Sequence, residues 1–154
     1  IQSSLNYRLD TASIGKFLFS ADYYDALKHT YRQKDGDPTT NYLCCANSNE
    51  FKSRLSGSVT WNLGRFSSTL YGLRNGRTWN HIGTEKNIGP WTTFNATINY
   101  RATPHASISL VVNNLANKRP PSDPTYGDWP YFDVTDYNAL GRAMYLEFGY
   151  DFGV

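Results

Sequence analysis

The sequence predicts an all-β, antiparallel fold, and three observations carry that expectation. Apolar and polar residues alternate with a period of two through most of the chain. The connections between the alternating runs are short at one end of each hairpin and long at the other. Aromatic residues are in excess at 16%, with 12 Tyr, 8 Phe and 4 Trp, while charged residues amount to only 18%.

The clearest element is residues 51–63. Phe51, Leu55, Val59, Trp61 and Leu63 occupy odd positions, and Lys52, Arg54, Ser56, Ser58, Thr60 and Asn62 occupy even ones. A helix would place these two sets on overlapping faces; a strand separates them cleanly. In chain order, the first strand is 1–9, with Ile1, Leu5, Tyr7 and Leu9 against Gln2, Ser4, Asn6 and Arg8. The second is 15–24, with Phe17, Phe19, Ala21 and Tyr23 on one face and Leu18 and Tyr24 blurring the other. After 51–63 comes 66–74, whose facing the pattern leaves open, because Leu70 falls opposite to Tyr71 and Leu73. Strands 91–101 (Phe94, Ala96, Ile98, Tyr100) and 106–115 (Ile108, Leu110, Val112) follow. The last is 141–152, with Met144, Leu146, Phe148, Tyr150 and Phe152 against Ala143, Tyr145, Glu147, Gly149 and Asp151.

The connections at 10–14, 64–65 and 102–105 are turns, the last carrying Thr103-Pro104. Those at 25–50, 75–90 and 117–140 are long. Compact soluble domains seldom hold one structureless loop beyond about 12–15 residues, and soluble strands average about 5–6 residues. Long alternating strands with short turns at one end and long loops at the other describe a transmembrane β-barrel whose long loops face the cell exterior. At about 3.3 Å per residue, Phe51 and Trp61 would stand about 33 Å apart along their strand. Tilted near 40°, that projects to about 25 Å, the height of a lipid-facing band between aromatic girdles. Tyr23 and Trp91 would join the girdle at the long-loop rim, and Tyr7, Phe66, Tyr100, Tyr150 and Phe152 the one at the short-turn rim. A soluble β-sandwich explains the alternation but neither the loop asymmetry nor the end-loaded rings. Seven strands cannot close, since membrane barrels start at about eight. The chain is therefore expected to be part of a larger wall.

Composition excludes other classes. A net charge of +2 over 154 residues argues against a nucleic-acid surface. No apolar run approaches the roughly 18 residues of a membrane helix. Residues 1–10 lack the basic start and apolar core of a signal peptide. No Gly-x-Ser-x-Gly, His-Glu-x-x-His or phosphate loop is present, so no enzyme and no cofactor is expected. The adjacent Cys44 and Cys45 leave three alternatives: a vicinal disulfide, pairing with cysteines outside this chain, or two free thiols. His29, His81 and His105 show no ligand spacing relative to them, so no metal is expected.

From Ile108 onward a resemblance enters. Val112-Asn113-Asn114-Leu115-Ala116-Asn117-Lys118 resembles the penultimate-strand motif of TonB-dependent outer-membrane receptors. Pro120-Pro121-Ser122-Asp123-Pro124 and Trp129-Pro130-Tyr131 look like that family's last extracellular loop. Tyr137-Asn138-Ala139-Leu140-Gly141-Arg142 resembles the approach to its final strand, with Asn138-Ala139 where the family usually has Asp-Pro. Tyr145, Phe148, Gly149, Tyr150 and Phe152 look like the C-terminal signal read by the barrel-assembly machinery, followed here by Gly153-Val154. The motifs cover roughly the last third of the chain.

The resemblance implies a barrel of about 22 strands, plugged by an N-terminal domain outside this chain and energised by the TonB complex. It implies the outer membrane of a Gram-negative bacterium, with outer-membrane lipid, the rest of the receptor and the assembly machinery as partners. The cargo would be a ferric siderophore, cobalamin, haem or a glycan. The alternatives are a passive porin or adhesive barrel and, further off, a soluble binding sandwich. Arg8, Lys16, Asp22, Lys52, Arg54, Arg101, Glu147 and Asp151 would face the lumen, as solute path or as ordinary polar filling. In the long loops Tyr31, Arg32, Tyr42, Arg77, Trp79, His81, Trp129, Tyr131 and Tyr137 are ligand-binding candidates. Rings stack on sugars and chelators, and guanidinium groups grip carboxylates.

Overall fold

The computed structural model describes residues 1–44, 50–80, 82 and 87–152. Seven long strands form one antiparallel sheet: β1 (Gln2–Thr11), β2 (Gly15–Asp25), β5 (Ser53–Leu63), β6 (Phe66–Asn75), β9 (Trp91–Arg101), β10 (Ala106–Asn113) and β11 (Ala143–Tyr150). Two short hairpins lie within the long loops, β3 (Thr30–Tyr31) with β4 (Thr40–Asn41), and β7 (Thr78–Trp79) with β8 (Asn87–Ile88). Each long strand pairs with its neighbours in the order β1-β2-β5-β6-β9-β10-β11, and the sheet does not close. Between the first two strands Gly15 takes a φ of +95°, and a side chain there would strike the Asn62 carbonyl. Gly64, with φ +56°, makes the tight β5–β6 turn. Trp61 Nε1 donates to the Ile14 carbonyl at 2.6 Å, holding the β1–β2 turn against β5.

Register divides the sheet into two faces, because directly paired residues point the same way. One row runs Tyr7, Phe19, Val59, Leu70, Ala96, Val112 and Met144; the next runs Leu9, Phe17, Trp61, Ser68, Ile98, Leu110 and Leu146. The opposite face carries Asp10, Lys16, Asn62, Ser67, Asn99, Ser109 and Glu147 in one row. This settles the strand whose facing the sequence left open. Phe66 and Leu70 of β6 lie on the apolar face, with Tyr71 and Leu73 on the polar one.

The polar face satisfies itself across strands. Ser4 donates to Asp22 at 2.7 Å, and Asn99 to Ser109 at 2.8 Å. The Ser20 and Ser58 hydroxyls pair at 2.8 Å, as do those of Thr60 and Thr69.

The apolar face is uncovered. Leu5 is 64% exposed, Leu146 58% and Phe148 74%, and among the described residues no second layer packs on them. A self-contained sandwich would bury this face against a second sheet, whereas the seven long strands here form one open sheet.

The compact core sits elsewhere, among the long loops. Phe51, Ile88, Trp91, Phe132 and Tyr137 form one buried cluster. Two sequence-based assignments fail here. Phe51 precedes β5, and its ring lies 5.2 Å below the Arg54 guanidinium on the polar-face side. Trp91 is the register partner of Asn75, also on the polar face, and is 8% exposed. Neither belongs to a lipid-facing girdle. Both occupy strand ends, where three loops converge and bury the rings against one another. The 11 residues of β5 by themselves still span about 33 Å. Tyr23 and Phe66 keep their apolar-face positions, and the Phe66 ring packs on Tyr100 at 4.6 Å.

Candidate loop-end binding surface

Three loops meet at the long-loop end, and their internal bonds decide which side chains remain available. In the loop between β2 and β5, the β3–β4 hairpin presents Tyr31, 53% exposed, beside Arg32, whose guanidinium donates to Thr39 Oγ1 at 3.1 Å and 3.3 Å. Lys28, Thr30, Tyr31, Arg32 and Thr39 line an open recess of about 410 Å³. Tyr42 belongs to a different group. Its amide donates to the His29 carbonyl at 3.0 Å, and its ring lies 5.0 Å from the His29 ring. His29 Nδ1 in turn meets Glu50 Oε2 at 2.9 Å. Cys44, further along this loop, is disulfide-bonded, which removes the free-thiol alternative; Cys45 lies outside the described residues.

Arg77 and Trp79 share a smaller recess of about 160 Å³ with Leu43, Lys52 and Asn87. The Arg77 carbonyl accepts from the Lys52 amide at 2.9 Å, which anchors the β6–β9 loop to the base of β5. Lys52 Nζ donates to the Ala26 carbonyl and stands 3.8 Å from Asp25, so it braces the loop base. His81 falls outside the described residues.

The loop between β10 and β11 presents Trp129, 79% exposed, followed by a cis peptide to Pro130. Tyr131, half exposed, has φ +65° and is pinned by its amide to the Asp128 carbonyl at 2.9 Å and by its carbonyl to the Asp123 amide at 2.7 Å. Asp123 and Asp133 each accept twice within their own turns, from the amide and hydroxyl of Thr125 and of Thr135 respectively. These carboxylates build the loop. They also act on Tyr126: burial first, then a hydrogen bond to Asp133 and nearby charge, push its hydroxyl up to about 12.

Tyr137 is not a ligand-facing residue. It is 4% exposed, with its ring edge-on to Phe51 and Trp91 at 5.5 Å each and to Phe132 at 6.3 Å. Its hydroxyl and Trp91 Nε1 are buried with no hydrogen-bond partner among the described residues. Burial is the main cause that raises the Tyr137 hydroxyl far above its ordinary value, assisted by Asp136, Asp123 and Asp133. Its position in the sequence, inside an aromatic-rich loop, did not separate a packing ring from an exposed one; only the convergence of three loops does.

The lumen-facing candidates divide by environment. Arg8 pairs with Asp10 at 3.0 Å on the polar face of β1. Asp22 accepts from Ser4, and Lys16 stands opposite Asp10 and Asn62. Arg54 is stacked on Phe51, Arg101 stands opposite Ser107, and Glu147 opposite Ser109. The Asp151 amide donates to the His105 carbonyl at 2.8 Å, beyond the end of β11.

Of the C-terminal aromatic set, Phe148 and Tyr150 lie on the apolar face, while Tyr145 stands opposite Val111 on the other. Gly149 meets Ser107 across the ladder, where a Cβ would come within 2.9 Å of the Ser107 hydroxyl. Phe152 follows the strand, 83% exposed, with its ring 4.7 Å from Tyr150.

The Asn-Leu and Gly-Arg motifs prove to touch. Asn114 (φ +50°) is buried, accepts from the Lys118 amide at 2.9 Å and donates to its carbonyl at 3.0 Å. Its own amide donates to Asn95 Oδ1 at 2.9 Å, and the Leu115 amide to the Phe94 carbonyl at 2.7 Å. Asn117, also at φ +50°, accepts from the Arg142 amide at 2.9 Å. Gly141 lies against it, where a Cβ would come within 2.8 Å of Asn117 Oδ1. The two motifs therefore form one clasp that closes the long loop between β10 and β11 at its base.

No known protein family matches the sequence, and no curated protein matches it. A structural likeness does exist. The crystal structure of a point mutant of the ferric enterobactin receptor from Pseudomonas aeruginosa superposes with a TM-score of 0.56 at 14% identity over 96% of this chain. The chain covers 21% of that protein, about a fifth of its length. The likeness establishes the fold: this seven-stranded antiparallel sheet is similar to part of a receptor barrel wall.

Proposed function

We propose that the chain is a wall segment of a TonB-dependent outer-membrane receptor of a Gram-negative bacterium, and that its long loops help capture a scarce solute for energised uptake. The observation that carries the reading is the sheet itself. Its apolar face is uncovered across seven strands, its polar face is hydrogen-bonded internally, and 96% of the chain aligns with the wall of a ferric enterobactin receptor. Open edges at β1 and β11 would leave backbone groups unpaired in lipid, so the remaining strands of the barrel are required partners. The plug, the TonB complex and the barrel-assembly machinery are the further partners of this reading, and catalysis has no part in it.

Among the described residues, Tyr31 with Arg32, Trp129 with Tyr131, and the exposed Arg77 beside the half-buried Trp79 are ring-bearing patches of the loops. Each offers an aromatic face, and two add a guanidinium, which suits an amphipathic, anionic cargo such as a ferric chelate.

A strain deleted for the gene, grown on a panel of iron chelates and glycans as sole sources, tests the proposal. The expected result is loss of growth on one member, restored by the wild-type gene and not by one carrying Arg32→Ala, Arg77→Ala and Trp129→Ala together. Undiminished growth on every member, or an upstream coding sequence without a plug and TonB box, would replace energised uptake by a passive porin or adhesive barrel.

A further inference from the structure

The apolar face is not evenly filled. Between β1 and β9 one row reads Leu5, Ala21, Gly57, Gly72 and Phe94 in direct register. Three small residues in the middle of that row leave a recess of about 500 Å³, walled by Phe19, Leu55, Leu70 and Phe94. The Phe94 ring lies over Gly72, where a Cβ would come within 3.2 Å of it. The recess reaches from the edge strand β1 to β9, and the small residues that open it, Ala21, Gly57 and Gly72, stand on the interior strands β2, β5 and β6.

The row one step nearer the long loops reads Tyr23, Leu55, Arg74 and Thr92. Arg74 lines the same recess and is exposed, and it makes no hydrogen bond or ion pair among the described residues. The other charged side chain in register on this face, Asp25, stands at its strand's end with Lys52 3.8 Å away. An unpartnered guanidinium on a lipid-facing surface is disfavoured at the bilayer midplane and tolerated near the interface. Arg74 occupies the penultimate position of β6 at the long-loop end, which is the interfacial depth of the outer leaflet. A guanidinium there matches a phosphate geometrically, through its fork of donors.

We propose that this recess seats an acyl chain of one phosphate-bearing lipid of the outer leaflet, with Arg74 on the lipid phosphate. The apolar walls favour a hydrocarbon chain, and the single unpaired cation at the rim selects an anionic headgroup. A protein partner would need a protruding apolar element at membrane depth and would leave the guanidinium uncompensated.

The inference rests on the outer-membrane reading, and its test separates the two. The full-length protein that carries this chain is purified from outer membranes in mild detergent. It is then incubated with equimolar phosphatidylglycerol and phosphatidylcholine of equal chain length and analysed by native mass spectrometry. Heat-modifiable gel migration reports barrel assembly for every variant.

One phosphatidylglycerol should be retained per protein in preference to phosphatidylcholine. Arg74→Gln should reduce that preference about fivefold, the effect of one basic residue at a charged lipid surface. Ala21→Phe, or Ala21→Leu should the larger ring prevent assembly, should abolish retention of both lipids by filling the recess. Equal retention of the two lipids, an unchanged preference in Arg74→Gln, or a dimer that Ala21→Phe disrupts would overturn the proposal. All three can occur in a correctly assembled outer-membrane barrel, so they leave the membrane reading standing. A protein that fractionates away from the outer membrane would overturn both.

Discussion

Replacing Tyr137 by alanine should detach the loop between β10 and β11 from the other two long loops. The side chain is 4% exposed and makes edge contacts with three rings, so truncation removes nearly its whole buried surface. An aromatic side chain buries about 150–250 Å². At about 25 cal/mol per Å² that corresponds to about 4–6 kcal/mol, an upper bound because unfolded chains already bury some surface. Measured ring-to-alanine changes in cores run at about 3–5 kcal/mol, and the local effect should fall there.

Phenylalanine at the same position gives the opposite result. It keeps all three ring contacts and removes a buried hydroxyl that has no hydrogen-bond partner among the described residues. The change should be neutral or stabilising by about 1 kcal/mol. Amide hydrogen exchange across residues 117–140 reads both outcomes, because local opening and not global unfolding exposes these amides. Tyr137→Ala should accelerate exchange there by at least about a hundredfold, with smaller changes around Phe51 and Trp91. Unchanged exchange in Tyr137→Ala would refute the packing role. A Tyr137→Phe variant destabilised by more than about 1.5 kcal/mol would show the hydroxyl to be bonded.

Two other predictions concern the same loop. Gly141→Ala should push Asn117 Oδ1 away and break its bond with the Arg142 amide, a loss of about 0.5–1.5 kcal/mol; Asn117→Ala should lose the same bond. A double-mutant cycle should therefore show the pair costing clearly less than the sum, and strict additivity would mean the clasp does not exist. Tyr126, whose folded pKa of about 12 lies above its ordinary 10, binds its proton more tightly in the folded loop. Its stabilising effect is complete below about pH 10 and is lost as pH rises toward 12. Protection across residues 117–140, taken relative to the base-catalysed intrinsic rate at each pH, should fall in that window, and Tyr126→Phe should remove most of that fall, whereas an identical protection profile in the variant would assign it to other groups.

Period-two alternation was enough to find the seven long strands, because a strand separates its two faces residue by residue and most positions on each face here share one chemistry. It was also enough to place Arg8, Arg54, Arg101 and Glu147 opposite the apolar set, since in a pleated ladder parity alone decides the face. The pattern failed at β6, where Leu70, Tyr71 and Leu73 present apolar groups at both parities. There the facing came from register with β5 and β9, a property of the pair and not of the strand. The motif residues Asn114, Asn117 and Gly141 were legible as a pattern, but their physical reason was not. Two left-handed asparagines and a glycine with no room for a Cβ acquire meaning only once residues 117 and 141 are brought together.

The long loops mark the boundary between the two kinds of information. Their lengths, and the alternation of short and long connections, follow directly from the order of residues. Which loop rings face solvent did not follow. Tyr31, Trp129 and Tyr137 have similar local sequence character, yet the first two are open and the third is among the most buried side chains. Phe51, Trp91 and Tyr137 come from three separate loop regions, and each buries its ring only because the other two arrive at the same place. Strand facing is a local, short-range consequence of backbone geometry and could be read from the chain alone. Loop packing is a long-range agreement among segments far apart in sequence, and only the tertiary structure decides it.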